Sequence, residues 1–186
     1  REVAQRAFEL CPEILNDARH APWAIEVYPA AGRFSVELRP RLSPDPRFAY
    51  RRRDVPAASH PPLAACLARL AGNSGTDLVW DPFCGSGLEL IERARLGGVT
   101  RIFGSDLSAE ALEIARSNFA AADLGISPTF QKCDFREARF EPGSLSQILT
   151  NPPMGRRVPI PNLPDLIRDL FAISARLLRP GGCLIF

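Results

Sequence analysis

The chain has 186 residues, 46% of them apolar, which suffices for one substantial core or one domain with a small appendage. Arginine and lysine number 23 against 21 acidic residues, so the net charge of +2 names no partner by itself. No apolar run approaches the ~20 residues of a membrane span and no secretory signal pattern is present, so neither a membrane partner nor a secreted protein is expected.

In chain order, Arg1 to Arg19 predict a helix with Val3, Ala7, Phe8 and Leu10 on one side and a break near Pro12. Trp23-Ala24-Ile25-Glu26-Val27-Tyr28 and Arg33-Phe34-Ser35-Val36-Glu37-Leu38-Arg39 each alternate apolar and polar residues. With the turn-like Pro29-Ala30-Ala31-Gly32 between them, they predict a hairpin. A proline-punctuated connection from Pro40 to Pro56 follows, carrying Arg41, Arg47, Arg51, Arg52 and Arg53 with Phe48 and Tyr50 interleaved. That mixture suits single-stranded nucleic acid, and equally a solvated linker.

Ser59-His60-Pro61-Pro62 opens a helix with proline in its first turn; Leu63, Cys66, Leu67 and Leu70 are its expected apolar face and Gly72 ends it. From there strands and helices alternate. Strands are expected at Asp77 to Asp81, Arg101 to Asp106, Thr129 to Cys133 and Gln147 to Thr150, with a fifth after a Pro180-Gly181-Gly182 turn. Helices are expected at Leu88 to Leu96, from the Ser108 cap to about Ala122, and at Pro164 to Leu178. Leu112, Ile114 and Phe119 are core candidates of the second of these. The alternation predicts an α/β, doubly wound, mostly parallel sheet over residues 56–186, preceded by a small helix-and-hairpin segment over residues 1–55.

Asp81-Pro82-Phe83-Cys84-Gly85-Ser86-Gly87 lies between a strand and a helix, a geometry that brings bare backbone close to a ligand. Asp106 ends the next strand, where a carboxylate reaches ribose hydroxyls; it also suits a charge meeting a helix dipole. Asp134 ends the third, placed either for an adenine amine or as a loop cap. Three acidic strand ends beside one glycine loop point to nucleoside binding.

Strand four ends in Asn151-Pro152-Pro153-Met154-Gly155. A planar amine is a poor nucleophile because its lone pair is delocalised. The Asn151 side-chain oxygen and the Pro152 carbonyl can each accept one of its N–H groups and aim the lone pair at a methyl donor, while the prolines hold both acceptors in place. Hydride transfer needs no such corner. Arg156 and Arg157 follow directly and suit either phosphate contacts or a solvated loop.

The two motifs together resemble the class I, Rossmann-like S-adenosylmethionine-dependent methyltransferases. More narrowly, they resemble the RNA methylases that carry a THUMP domain and methylate the exocyclic amine of guanine in tRNA or rRNA. Ser59-His60-Pro61-Pro62-Leu63-Ala64 is similar to their pre-catalytic helix, and the hairpin with Phe48-Ala49-Tyr50-Arg51 resembles the segment that joins THUMP to the catalytic domain.

The resemblance implies that His60, Asp81, Pro82, Phe83, Cys84, Gly85, Ser86, Gly87, Asp106, Leu107, Asp134, Phe135 and Asn151 line the S-adenosylmethionine site. It implies that Asn151, Pro152 and Pro153 receive the target amine, and that Met154, Arg156 and Arg157 meet the substrate. Met154 departs from the aromatic residue usual at that position and offers a softer contact to a flipped base. The family fold normally adds two strands beyond the fifth, and the chain starts at Arg1 rather than Met, so a segment of a longer protein is expected.

The corner also serves adenine-N6 or a protein glutamine amide, and Met154 suits a cofactor-binding, non-catalytic RNA-binding subunit. Five scattered cysteines, none in C-x-x-C spacing, argue against a metal site and predict reduced thiols and a cytoplasmic location.

Overall fold

The computed structural model describes residues 2–13, 17, 20–41, 48–155 and 159–186. The chain divides into two compact units, Arg1–Pro46 and Arg47–Phe186. The boundary falls earlier than residue 55 because the residues just before it are tied to the core of the second unit. Tyr50 is buried and its hydroxyl donates to Glu92 Oε1 at 2.6 Å. Phe48 packs on the same core. These two rings are therefore core residues of the second unit, not stacking platforms for bases; Arg47 lies outside the described residues.

In the first unit, helix α1 (Glu2–Leu10) is shorter than predicted and ends just before Pro12. Strands β1 (Trp23–Ala30) and β2 (Arg33–Pro40) form an antiparallel hairpin. Its turn is only Ala31-Gly32, both at positive φ, so Pro29 and Ala30 pair with Phe34 and Arg33 inside the ladder.

The second unit is built on a five-stranded, wholly parallel sheet. Its strands are β3 (Asp77–Asp81), β4 (Val99–Asp106), β5 (Thr129–Lys132), β6 (Leu145–Leu149) and β7 (Leu178–Ile185). They lie in the order β5-β4-β3-β6-β7. Among the described residues its α-helices are α2 (Pro61–Ala71), α3 (Leu88–Arg95), α4 (Ala109–Ala122) and α5 (Leu163–Leu177). Successive strand residues enter opposite cores. Val79 and Leu149 join one core with residues of α2, α3 and α4; Trp80 and Ile148 join the other with Leu166, Leu170 and Leu177 of α5.

Two elements depart from their sequence pattern. Helix α2 buries Pro61, Ala64, Ala65 and Ala68, while Leu63, Cys66 and Leu70 are exposed. Small side chains let α2 approach α3 closely, a gain that outweighs the larger apolar area of the leucine face. The predicted Pro180-Gly181-Gly182 turn is part of β7, which starts directly after α5. A Cβ on Gly182 would sit 2.9 Å from the Ser146 carbonyl oxygen, so the close approach of β7 to β6 requires glycine there. Among the described residues, no helix is long and apolar enough to cross a membrane.

Candidate active site

Strand order reverses between β3 and β6, and ligands of open α/β sheets bind outside the carboxyl ends of the strands at such a point. A cleft of about 1280 Å³ opens there. Its walls are residues 54–59 before α2, residues 82–86 after β3, residues 106–108 after β4, residues 133–136 after β5 and residues 151–154 after β6.

The glycine loop is shaped by backbone. Gly85 and Gly87 have φ of 48° and 81°, and a Cβ on Gly87 would stand 3.2 Å from the Ala115 Cβ. Asp106 reaches back to the loop: its Oδ2 accepts the Gly85 N–H at 3.0 Å and its Oδ1 the Ser108 N–H at 2.8 Å. Asp134 accepts the Arg136 N–H at 2.9 Å, and Arg136 in turn binds Asp169 at 2.6 Å. Phe83 and Phe135 pack with ring centroids 4.9 Å apart.

Asp81 is fully buried and does not line the cleft. Its Oδ1 accepts the Thr150 hydroxyl at 2.6 Å and the Phe83 N–H at 3.0 Å, whereas Oδ2 has no partner. Burial, and then the nearby Glu89 charge, push its carboxyl well above the ordinary range. Glu89 lines the cleft and is also buried; burial raises its carboxyl too, against a hydrogen bond from the Ser59 hydroxyl.

Beyond β6, Asn151 is exposed at the cleft, and its Nδ2 donates to Ser59 Oγ at 2.9 Å. Pro152 is buried and Met154 is 53% exposed.

Most predicted site residues meet in this cleft: Pro82, Phe83, Cys84, Gly85, Ser86, Asp106, Leu107, Asp134, Phe135, Asn151, Pro152, Pro153 and Met154 all line it. Asp81 and Gly87 stand behind the lining. His60 does not line the cleft; it precedes α2, is exposed, and makes no side-chain cap bond, while its neighbour Ser59 faces the cleft. Arg156 and Arg157 lie outside the described residues. Ser59, Glu89 and the wall at residues 54–58 are site features that sequence reasoning missed. Glu89 stands out only in the structure, in a helix whose first six residues are all buried, which is unusual for a carboxylate. Among the described residues, no group of three or more His, Cys, Asp or Glu side chains could hold a metal ion.

The RMKL-like, methyltransferase domain model matches residues 49–186. The chain belongs to that family. Among curated proteins it is 32% identical over 103 residues to the tRNA (guanine(10)-N2)-dimethyltransferase of Methanothermobacter thermautotrophicus, covering 54% of this chain. It is 36% identical over 120 residues to the Type II methyltransferase M.VspI of a Vibrio species, covering 57% of this chain. In each case the match spans only 29% of the relative. The structure of TrmN from Thermus thermophilus matches with a TM-score of 0.68 at 28% identity, over 99% of this chain and 54% of that one. A predicted N6-adenine-specific DNA methylase from Listeria monocytogenes, at 22% identity and a TM-score of 0.60 over 74% of this chain and 46% of that one, shares the fold.

The fold is thus that of the class I methyltransferases, whose cofactor is S-adenosylmethionine. The site fits it. The cofactor carries a sulfonium and an α-ammonium, and the cleft offers the buried Glu89 carboxyl, which is in no ion pair among the described residues, with the orphaned oxygen of Asp81 behind the lining.

Proposed function

We propose that this chain carries the active site of a methyltransferase acting on the exocyclic amine of guanine in RNA, with tRNA the first candidate. The observation that carries this reading is the Asn151 side chain. It stands at the mouth of the cleft, one end held by Ser59, which leaves its oxygen as a fixed acceptor.

S-adenosylmethionine supplies an electrophilic methyl group in the cleft. Asp106 binds the ribose hydroxyls with the lone pairs left after its two backbone bonds. Asp134 accepts from the adenine amine, and the packed rings of Phe83 and Phe135 give that part of the cleft an apolar wall. Glu89 faces the cationic methionine end, with Asp81 buried behind the lining. The Asn151 oxygen and the Pro152 carbonyl each accept an N–H of the target amine, so its lone pair turns out of conjugation and towards the methyl group. The methylated nitrogen then gives one proton to water. Met154 packs on the extruded base.

The tRNA (guanine(10)-N2)-dimethyltransferase that is 32% identical over 103 residues supports this substrate. Adenine-N6 is the second reading, because the Asn151 and Pro152 acceptors suit any planar amine. Mass spectrometry of nucleosides, after total RNA from a gene-deletion strain is treated with the whole protein and cofactor, separates them. Methylguanine supports the first reading, methyladenine the second. No methylated nucleoside would sink both.

A further inference from the structure

Ser59 and Glu89 share a task beyond the contacts described so far. Ser59 and Glu89 are each only 5% exposed, both line the cleft, and they come from different elements. The Ser59 hydroxyl donates to Glu89 Oε1, and Asn151 Nδ2 donates to Ser59 Oγ at 2.9 Å. We propose that Ser59 and Glu89 are positioning residues that set the Asn151 amide so that its oxygen, not its nitrogen, faces the substrate amine. The inference rests on the proposed role of Asn151 as an acceptor for that amine.

Counting donors gives the physical reason. An asparagine amide is nearly symmetric in shape, so packing alone does not distinguish its C=O from its NH2 end. A serine hydroxyl has one proton. While Glu89 is a carboxylate, it can only accept, so that proton goes to Glu89. Ser59 can then offer Asn151 only a lone pair, and Asn151 must turn its NH2 towards it. The oxygen is left facing the cleft. Without the Glu89 acceptor the Ser59 proton is free to go to the Asn151 oxygen. The amide would then turn over and present N–H groups to the incoming N–H groups of the substrate, a repulsive pairing.

Burial strengthens the control. In a low-dielectric site each unmet polar group costs more than in water, so the buried Ser59 and Glu89 are kept paired. The relay also joins three separate parts of the fold: the segment before α2, the first turn of α3 and the end of β6. The amide is thus set by elements that move only if the domain opens.

The test compares Ser59→Ala, Glu89→Leu and Asn151→Ala in the whole protein. The probe is total RNA from a gene-deletion strain, with saturating S-adenosylmethionine. Binding of S-adenosylhomocysteine and thermal melting are measured alongside. The expected result is that Ser59→Ala and Glu89→Leu lower the single-turnover rate by about 10- to 100-fold, the scale of a misplaced catalytic group. In Ser59→Ala, cofactor affinity should stay within about threefold and the melting point should hold. Wild-type rates in Ser59→Ala or in Glu89→Leu, with Asn151→Ala inactive, overturn the inference and leave the proposed function standing. A Ser59→Ala loss that follows cofactor affinity or melting shows a merely structural serine and also overturns it. Wild-type turnover in Asn151→Ala sinks the proposed function instead.

Discussion

Thr150 and Asp81 are joined by a 2.6 Å hydrogen bond between two fully buried side chains. The bond ties the end of β3 to the residue just before Asn151, so the glycine loop and the Asn-Pro-Pro corner share one fixed point. Thr150 is held further by its N–H, which donates to the Ile185 carbonyl at 3.0 Å. Thr150→Val keeps the shape and removes the hydroxyl, leaving a buried carboxyl with a single donor. A loss of about 1–3 kcal/mol in urea unfolding is expected, together with weaker cofactor binding. Unchanged unfolding would show that the bond does not hold the two loops together.

Cofactor affinity should rise with pH. Burial pushes both Asp81 and Glu89 up, and the repulsion between them adds to it at Asp81. A folded value above the unfolded one contributes stability that is present below the ordinary carboxylate range. That contribution is lost as pH rises through the raised values. A cationic ligand stabilises the ionised carboxylates and therefore releases protons on binding. Calorimetry in two buffers of different ionisation heat reads that release directly. Equal heats in both buffers would refute the pairing of the Glu89 carboxyl with the cationic end of the cofactor.

At the other end of β3, Arg93 and Asp77 form an ion pair at 2.6 Å, both fully buried. Arg93 also donates to Gln147 Oε1 at 2.6 Å and to the Gly97 carbonyl at 2.9 Å. Arg93→Met strands the Asp77 charge and should cost about 3–5 kcal/mol, offset in part by Arg179 at 3.5 Å. Because Asp77 starts the strand that Asp81 ends, cofactor affinity should not change. Burial alone would raise the Asp77 carboxyl; the hydrogen bonds from Ser74 and the Arg93 charge outweigh it and leave the group below its ordinary value. Its contribution is therefore present above the ordinary carboxylate range and is lost as pH falls through the depressed folded value. Asp77→Asn should remove that acid-side slope from a plot of melting temperature against pH.

Asn118 is fully buried in α4 and uses every polar atom it has. Its Oδ1 accepts the N–H groups of Arg52 and Arg53 at 2.9 and 3.1 Å, and its Nδ2 donates to the carbonyls of Arg53 and Ser86 at 2.9 and 3.0 Å. It therefore pins the segment before α2 and the glycine loop to the same helix. Asn118→Ala should cost about 1–3 kcal/mol and release that segment. Faster tryptic cleavage at Arg51 to Arg53 is the expected sign; an unchanged digestion rate would contradict it.

The sheet was legible because buried parallel strands read as short apolar runs ending in acidic residues, and the Ser108 cap and the positive-φ glycines marked where helices begin and stop. The burial of α2 was not legible. Its exposed leucines carry the stronger hydrophobic signal, and only the nearness of α3 makes the alanine face the better one to bury. The alternating β1 and β2 likewise predicted a hairpin, but the two-residue turn and the pairing of Pro29 depend on backbone geometry that alternation does not encode.

The amino-acid sequence by itself determined the chemistry on offer at the cleft: a glycine loop, the acidic strand ends and an Asn-Pro-Pro corner, each fixed by residue type and local spacing. Only the tertiary structure decided how those groups are controlled. It moved Asp81 from the cleft wall to a buried brace, replaced His60 by Ser59 at the site, and set Glu89 behind Ser59 and Asn151. These are contacts between side chains 30 and 92 positions apart. Local propensity carries no record of such distances; the order in which the strands pack creates them.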